Sequence, residues 1–152
     1  MIFFGIIALL VLLDQFTKFL VIKYIKPIYT LPIIRDIFHL TYVENRGAAF
    51  SIFQGKQTFL IVVTLIFTIF LIYYLKKVPT TSNSLWFKIS LSFIIGGAIG
   101  NLMDRIRLSY VIDFFDFRII NFAIFNTADT FVVIGTILLV LIILFGNTKN
   151  YL

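Results

Sequence analysis

Four runs of almost unbroken apolar residues divide the chain, at about residues 1–22, 59–75, 85–103 and 123–145. Each is close to the roughly 20 residues that a helix needs to cross the hydrocarbon core of a bilayer. Within that core every backbone N–H and C=O must find a partner inside the protein, so only helices and closed barrels can span it. The runs lack the in–out alternation of barrel strands. The pattern therefore predicts an all-α membrane protein, a four-transmembrane-helix bundle, with residues 1–152 forming one integral membrane domain. The first run could pass for a signal peptide. It has no basic leading region and no small-x-small cleavage site, and it carries Asp14 and Lys18 within its apolar stripe.

The connections are uneven. Residues 24–56 form the longest polar stretch, in which Pro27 and Pro32 forbid a continuous helix. Phe38, Leu40 and Tyr42 alternate with His39, Thr41 and Val43, the signature of a strand, and His39 on it reads as an ordinary interfacial residue. Asn45-Arg46-Gly47-Ala48-Ala49-Phe50 follows, where Asn and Gly mark a tight turn. Ala48 and Ala49 are small enough for a neighbouring backbone or a ligand to come close, although a structural turn is the simpler account. Residues 76–84 read as a short exposed loop. In the third run, Gly96-x-x-x-Gly100 with Gly97 makes a small-residue face suited to close helix packing. There is no internal repeat.

Composition sharpens this picture. The chain is 61% hydrophobic and only 13% charged, against roughly a quarter charged in soluble domains. The net charge of +6 does not read as nucleic-acid binding, because the basic residues flank apolar runs, as juxtamembrane Lys and Arg do at lipid headgroups. Cysteine is absent and His39 is the single histidine, which excludes disulfides, thiol nucleophiles and a zinc site of the usual kind. The H-E-x-x-H signature is also missing. Catalysis, if present, has to run on carboxylates, hydroxyls, lysine or amides, and a pair of carboxylates requires no metal and no cofactor. Four crossings place both termini and the 76–84 loop on one side, and the long first loop and the 105–122 loop on the other. All seven acids fall on the second side or at helix ends facing it, but so do nine Lys and Arg. A plain positive-inside count would put that side in the cytoplasm.

The candidate chemistry is concentrated in residues 96–129, where GGAIGNLMDR, VIDF and FNTAD each contain one aspartate: Asp104, Asp113 and Asp129. A carboxylate beside hydrocarbon is costly, so each needs a reason. Asp104, at the C-terminal end of the third helix, opposes the helix dipole; a salt bridge to Arg105 or Arg107 would neutralise it. Asp129 stands three residues after Asn126, the spacing of a capping box, so helix initiation alone could account for it. Asp113 lies among bulky apolar neighbours that would raise its pKa by desolvation. Asp116 points to the opposite face from Asp113 if this stretch is extended, and reads as a surface charge. Asp14 and Lys18 are four apart and can pair on one helix face, either to ease insertion or to support a site. If Asp113 and Asp129 converge, they cannot both ionise and would share a proton, one activating water and the other polarising a carbonyl. Asp129, near a helix N-terminus, is then the first base. Two other classes fit less well. A proton-coupled transporter would spread carboxylates over several depths, and an assembly subunit would tolerate Asp→Asn changes.

Together these motifs resemble lipoprotein signal peptidase (signal peptidase II), a family of bacterial intramembrane aspartyl proteases. The resemblance runs from Asp14-Gln15-Phe16-Thr17-Lys18 through the Asn45–Phe50 turn and the 96–105 glycine motif to Val111-Ile112-Asp113-Phe114 and Phe125-Asn126-Thr127-Ala128-Asp129. It implies a catalytic dyad of Asp113 and Asp129. It also implies site-supporting or substrate-binding roles for Asp14, Lys18, Asn45, Gly47, Asn101, Asp104, Arg105 and Asn126. The expected substrates are diacylglyceryl-modified prolipoproteins, cut just before the lipidated cysteine, in contact with membrane lipid and by a monomer. A small β-rich cradle and an interfacial helix are expected in the first extracytoplasmic loop. The resemblance places the protein in the bacterial cell membrane with both termini cytoplasmic and the dyad near the outer face, against the charge count. Thr130 stands where the family pattern leads one to expect Ser.

Overall fold

The computed structural model describes residues 1–48, 52–82, 84–120 and 122–146; Ala49 and Phe50 of the turn motif lie outside the described residues. Helix α1 (Ile2–Leu20) runs on through a π-helical turn, Val21–Ile25, and is followed by α2 (Gln57–Lys77), α3 (Leu85–Leu108) and α4 (Thr127–Phe145). All four are long and apolar enough to cross a membrane, so this is a multi-pass membrane protein. Two boundaries differ from the apolar runs. Ile106 and Leu108 carry α3 one turn beyond residue 103, which puts Asp104 and Arg105 inside the helix. At the other boundary, α4 starts only at Thr127, because Asn126 takes an extended conformation and caps it.

Helix α3 is the hub. It is mostly buried, whereas α1, α2 and α4 turn most of their surface outward, as helices facing lipid do. Its glycines explain how three neighbours fit around it. Gly96 lies against Leu10 of α1, and a methyl group on Gly100 would stand 2.5 Å from Asp14 Oδ2. Gly97 faces the other way, where a methyl group would collide with the Ala128 carbonyl of α4. Backbone is the obstacle there, so Gly97→Ala is expected to push α4 off α3 and cost about 1–3 kcal/mol. Thermal unfolding of the purified protein in detergent measures this. Gly5→Ala is the control, since nothing lies within 4 Å of that position.

At one end of the bundle, the strands β1 (Thr30–Ile34), β2 (Phe38–Asn45) and β3 (Val111–Phe117) form an antiparallel sheet in the order β1-β2-β3. This is the expected cradle, with its third strand supplied by the connection between α3 and α4. Val21 and Ile25 of the π-helical turn pack against Tyr42, Ile112 and Phe114 and seat the sheet on α1. The β2–β3 register pairs His39 with Asp116 and Val43 with Asp113, with an irregularity between Leu40 and Val43. That register sets the end of β2, and so Asn45, next to the start of β3. Beyond β2, residues 52–55 form turns. Phe53 and Gly55 take positive φ there, 60° and 77°, which no helix accommodates, so the expected interfacial helix has no separate counterpart among the described residues.

Three polar side chains depart from expectation. Asp116 is not a surface charge; it is buried, because Thr41 of β2 and Arg118 of the following 3-10 turn fold over it and donate at 2.7 and 2.9 Å. His39 is more enclosed than an ordinary interfacial residue: it is buried on the same strand pair, and neither ring nitrogen has a hydrogen-bond partner among the described residues. Lys88, expected among the flanking cations, is buried at the far end of α3 and donates to the Val78 carbonyl at 2.7 Å, capping α2.

Candidate active site

The expected site residues come from five separate pieces of chain and meet at the sheet end of the bundle. Asp14 and Lys18 project from α1, and Asn101, Asp104 and Arg105 from the last two turns of α3. Asn45 ends β2 with Gly47 in the turn beyond, Asp113 lies on β3, and Asn126 and Asp129 open α4.

The helix start builds the first half of the centre. Asn126 Oδ1 accepts from the Asp129 backbone N–H at 2.9 Å, and Asp129 Oδ2 accepts from the Asn126 N–H at 3.1 Å, a complete capping box. The other Asp129 oxygen accepts from Asn101 Nδ2 at 2.7 Å. The second half is Asp113. Its Oδ1 accepts from Asn126 Nδ2 at 2.6 Å, and its Oδ2 accepts from Asn45 Nδ2 at 2.8 Å. Asn45 is fixed by its own turn, whose Gly47 N–H donates to Asn45 Oδ1 at 2.9 Å. Asn126 therefore touches both aspartates, and both line one cavity of about 580 Å³. Burial first, and then the charge of Asp129, push the Asp113 carboxyl up to about 7 against the pull of its two amide donors.

Behind this pair lies a buried ion cluster. Lys18 Nζ donates to Asp14 Oδ2 at 2.9 Å, Asp104 Oδ2 at 2.8 Å and Asn101 Oδ1 at 2.9 Å, which uses all three of its protons. Asp14 Oδ1 also accepts from the Ala128 N–H at 3.0 Å, at the amino end of α4. The expected partner of Asp104 needs correcting, because neither Arg105 nor Arg107 pairs with it. Adjacent helix residues point in different directions. Asp104 faces α1 and Lys18, while Arg105 faces the cavity and donates to the Gly47 carbonyl at 3.2 Å. Arg105 Nε, buried, has no partner among the described residues.

Two participants were quoted within the sequence motifs but given no role. Gln15 Nε2 reaches Asp14 Oδ2 at 3.1 Å and Asp104 Oδ1 at 3.0 Å. Its signal was a lone amide in an apolar run beside Asp14. Ala128 contributes only its backbone and gave no signal. Thr130, the departure from the family pattern, lines the cavity and turns its hydroxyl back to the Asn126 carbonyl at 3.0 Å.

The cavity is lined by the polar side chains of Asn45, Asn101, Arg105, Asp113 and Asp129 and by the apolar side chains of Phe122, Ile124, Val133 and Ile134. Such a site can hold a water or a carbonyl between two carboxyls in unlike environments, with an apolar chain alongside. Among the described residues no three His, Asp or Glu side chains are grouped as a metal ion requires.

Known proteins carry the same plan. The family model for signal peptidase (SPase) II matches residues 6–145. The lipoprotein signal peptidase of Caldanaerobacter subterraneus is 53% identical over 140 residues, covering 92% of this chain and 94% of that one. The lipoprotein signal peptidase of Clostridioides difficile is 47% identical over 150 residues, 99% of each chain. A solved bacterial membrane enzyme superposes with a TM-score of 0.83 at 33% identity, over 97% of this chain and 90% of that one. With most of its length matched by the family model and by both relatives, the chain belongs to the signal peptidase II family of membrane peptidases.

Proposed function

We propose that this protein is an aspartic endopeptidase that removes signal peptides from prolipoproteins by cutting before a diacylglyceryl-modified cysteine. The observation that carries the reading is the pair Asp113 and Asp129, in unlike environments, lining one cavity and tied together through Asn126. Asp129, held by an amide and by the N–H at a helix start, is the ionised partner and takes a proton from water. Asp113, pushed up to about 7, keeps its proton and polarises the scissile carbonyl, then passes that proton to the departing amine. Neither metal nor cofactor enters. Arg105 and Asn45 hold the peptide backbone, and the apolar wall takes the lipid. The relatives named as lipoprotein signal peptidases support the substrate class.

The chain works as a single domain and as a monomer, in the bacterial cell membrane, with its termini in the cytoplasm and the dyad near the outer face. This orientation runs against the plain count of Lys and Arg and is carried by the family resemblance instead.

The test is cleavage of a lipidated precursor by the purified protein, with products read by mass spectrometry. A product beginning at the diacylglyceryl cysteine is expected, with no cut in the unlipidated precursor; equal cutting of both would sink the proposed specificity. The pH profile gives a second check. Asp113 must be protonated to act, so the rate is expected to fall as pH rises through about 7. A rate still climbing at pH 9 would mean that Asp113 is not the acid.

A further inference from the structure

We propose that Lys18 is the positioning residue of the dyad, acting through Asn101 to decide which aspartate is the base. The inference rests on the dyad reading above and goes a step beyond it. It begins with a constraint on hydrogen-bond polarity. An ammonium can only donate, so the Asn101 atom 2.9 Å from Lys18 Nζ has to be the oxygen. The Asn101 NH₂ is then turned to Asp129 Oδ1, at 2.7 Å. The neighbouring amides are locked in the same way. Asn126 spends its oxygen on the Asp129 N–H, so its NH₂ faces Asp113 Oδ1 at 2.6 Å and Asn101 Oδ1 at 3.1 Å. Asn45 spends its oxygen on the Gly47 N–H. None of the three can flip without losing a bond, and Lys18 is the donor that fixes Asn101.

The charge of Lys18 reaches Asp113 and Asp129 alike, so by itself it does not choose between them. Lys18 is enclosed by Asp14 and Asp104, all three are buried, and the cluster as a whole carries no net positive charge. What reaches Asp129 and not Asp113 is the orientation of the Asn101 amide. The charged groups facing Asp129 from the surrounding elements are Asp113 of β3, Arg105 of α3 and Lys18 of α1, and Asp14 and Asp104 stand behind Lys18.

The test measures kcat and KM between pH 4 and 9 on a lipidated precursor, using the full-length protein in mixed micelles. Asn101→Ala is expected to lower kcat about 100-fold, as loss of one donor to a reacting charge does. It should also move the acidic limb of the dyad up by about one pH unit, with KM little changed. The paired change Lys18→Met with Asp104→Asn removes one charge of each sign, and is expected to move the same limb by a similar amount. Added to Asn101→Ala, it is expected to move the limb no further. An unshifted profile in Asn101→Ala overturns the proposal, and so does a second shift in the combined variant. Should the Lys18 pair fail to fold, Lys18→Gln takes its place: it keeps an N–H donor for Asn101 Oδ1 without the charge, so an unmoved limb is expected and a shift of a full pH unit overturns the proposal. Asp113→Asn and Asp129→Asn separate the two readings. Activity in either one sinks the dyad itself, whereas silence in both with an unmoved Asn101→Ala profile sinks only the relay.

Discussion

Asp113→Asn and Asp129→Asn each leave a folded protein that cleaves lipidated precursor at least about 1,000-fold more slowly, the scale on which acid–base groups act together with their oriented neighbours. The amide has the size of the acid and keeps most of the packing, so lost activity reports chemistry. Stability should respond in the opposite sense at Asp113. Its carboxyl is pushed from an ordinary 3.8 to about 7 in the folded protein, so folding favours its protonated form. The unfolded chain ionises it first, and the resulting cost grows as pH rises from about 4 to about 7, with a ceiling of about 4 kcal/mol. Asn carries no such cost. At pH 8 Asp113→Asn is therefore expected to melt no lower than the wild type, and its advantage should fade towards pH 4. Retention of more than about a tenth of the activity by either variant would remove the dyad from the mechanism. A melting temperature for Asp113→Asn that drops steeply at pH 8 would mean that the carboxylate is structural.

Lys18→Met, made alone, carries the largest expected cost in stability. The side chain is nearly the same length, but it leaves Asp14 and Asp104, both buried, facing the space that held a shared cation. Breaking a buried ion pair on one side typically costs about 3–5 kcal/mol, because the remaining charge is uncompensated. Here two carboxylates are stranded. Thermal unfolding in detergent measures the loss, and lowering the pH should recover part of it as the stranded carboxyls take up protons. A variant within a degree or two of wild type at neutral pH would show that the cluster contributes little to folding.

How much of this was legible in the sequence depends on distance along the chain. The four spans follow from apolar length, and the Asn126–Asp129 cap from a three-residue spacing. The Asp14–Lys18 pair follows from a four-residue spacing. The second partner of Lys18 was not legible, since Asp104 lies on another helix and its adjacent arginines offered a nearer but misdirected solution. Asp116 was missed for a related reason. Alternation places it opposite Asp113, but only the pairing of β3 with β2 says that Thr41 covers that face. The membership of residues 111–117 in the cradle was likewise hidden, because an extended stretch between helices has no partner until the register is known.

The capping box at the start of α4 bears on mutational escape. One carboxyl both begins a membrane-spanning helix and, in the proposed chemistry, activates water. A substitution that evades an inhibitor bound at Asp129 would forfeit the side-chain half of the capping box and the base together. Resistance is therefore expected to arise on the apolar wall instead, at Phe122, Ile124, Val133 or Ile134, where a change of shape costs neither. A compound that draws its affinity from the polar side chains of the cavity leaves the fewest such routes open.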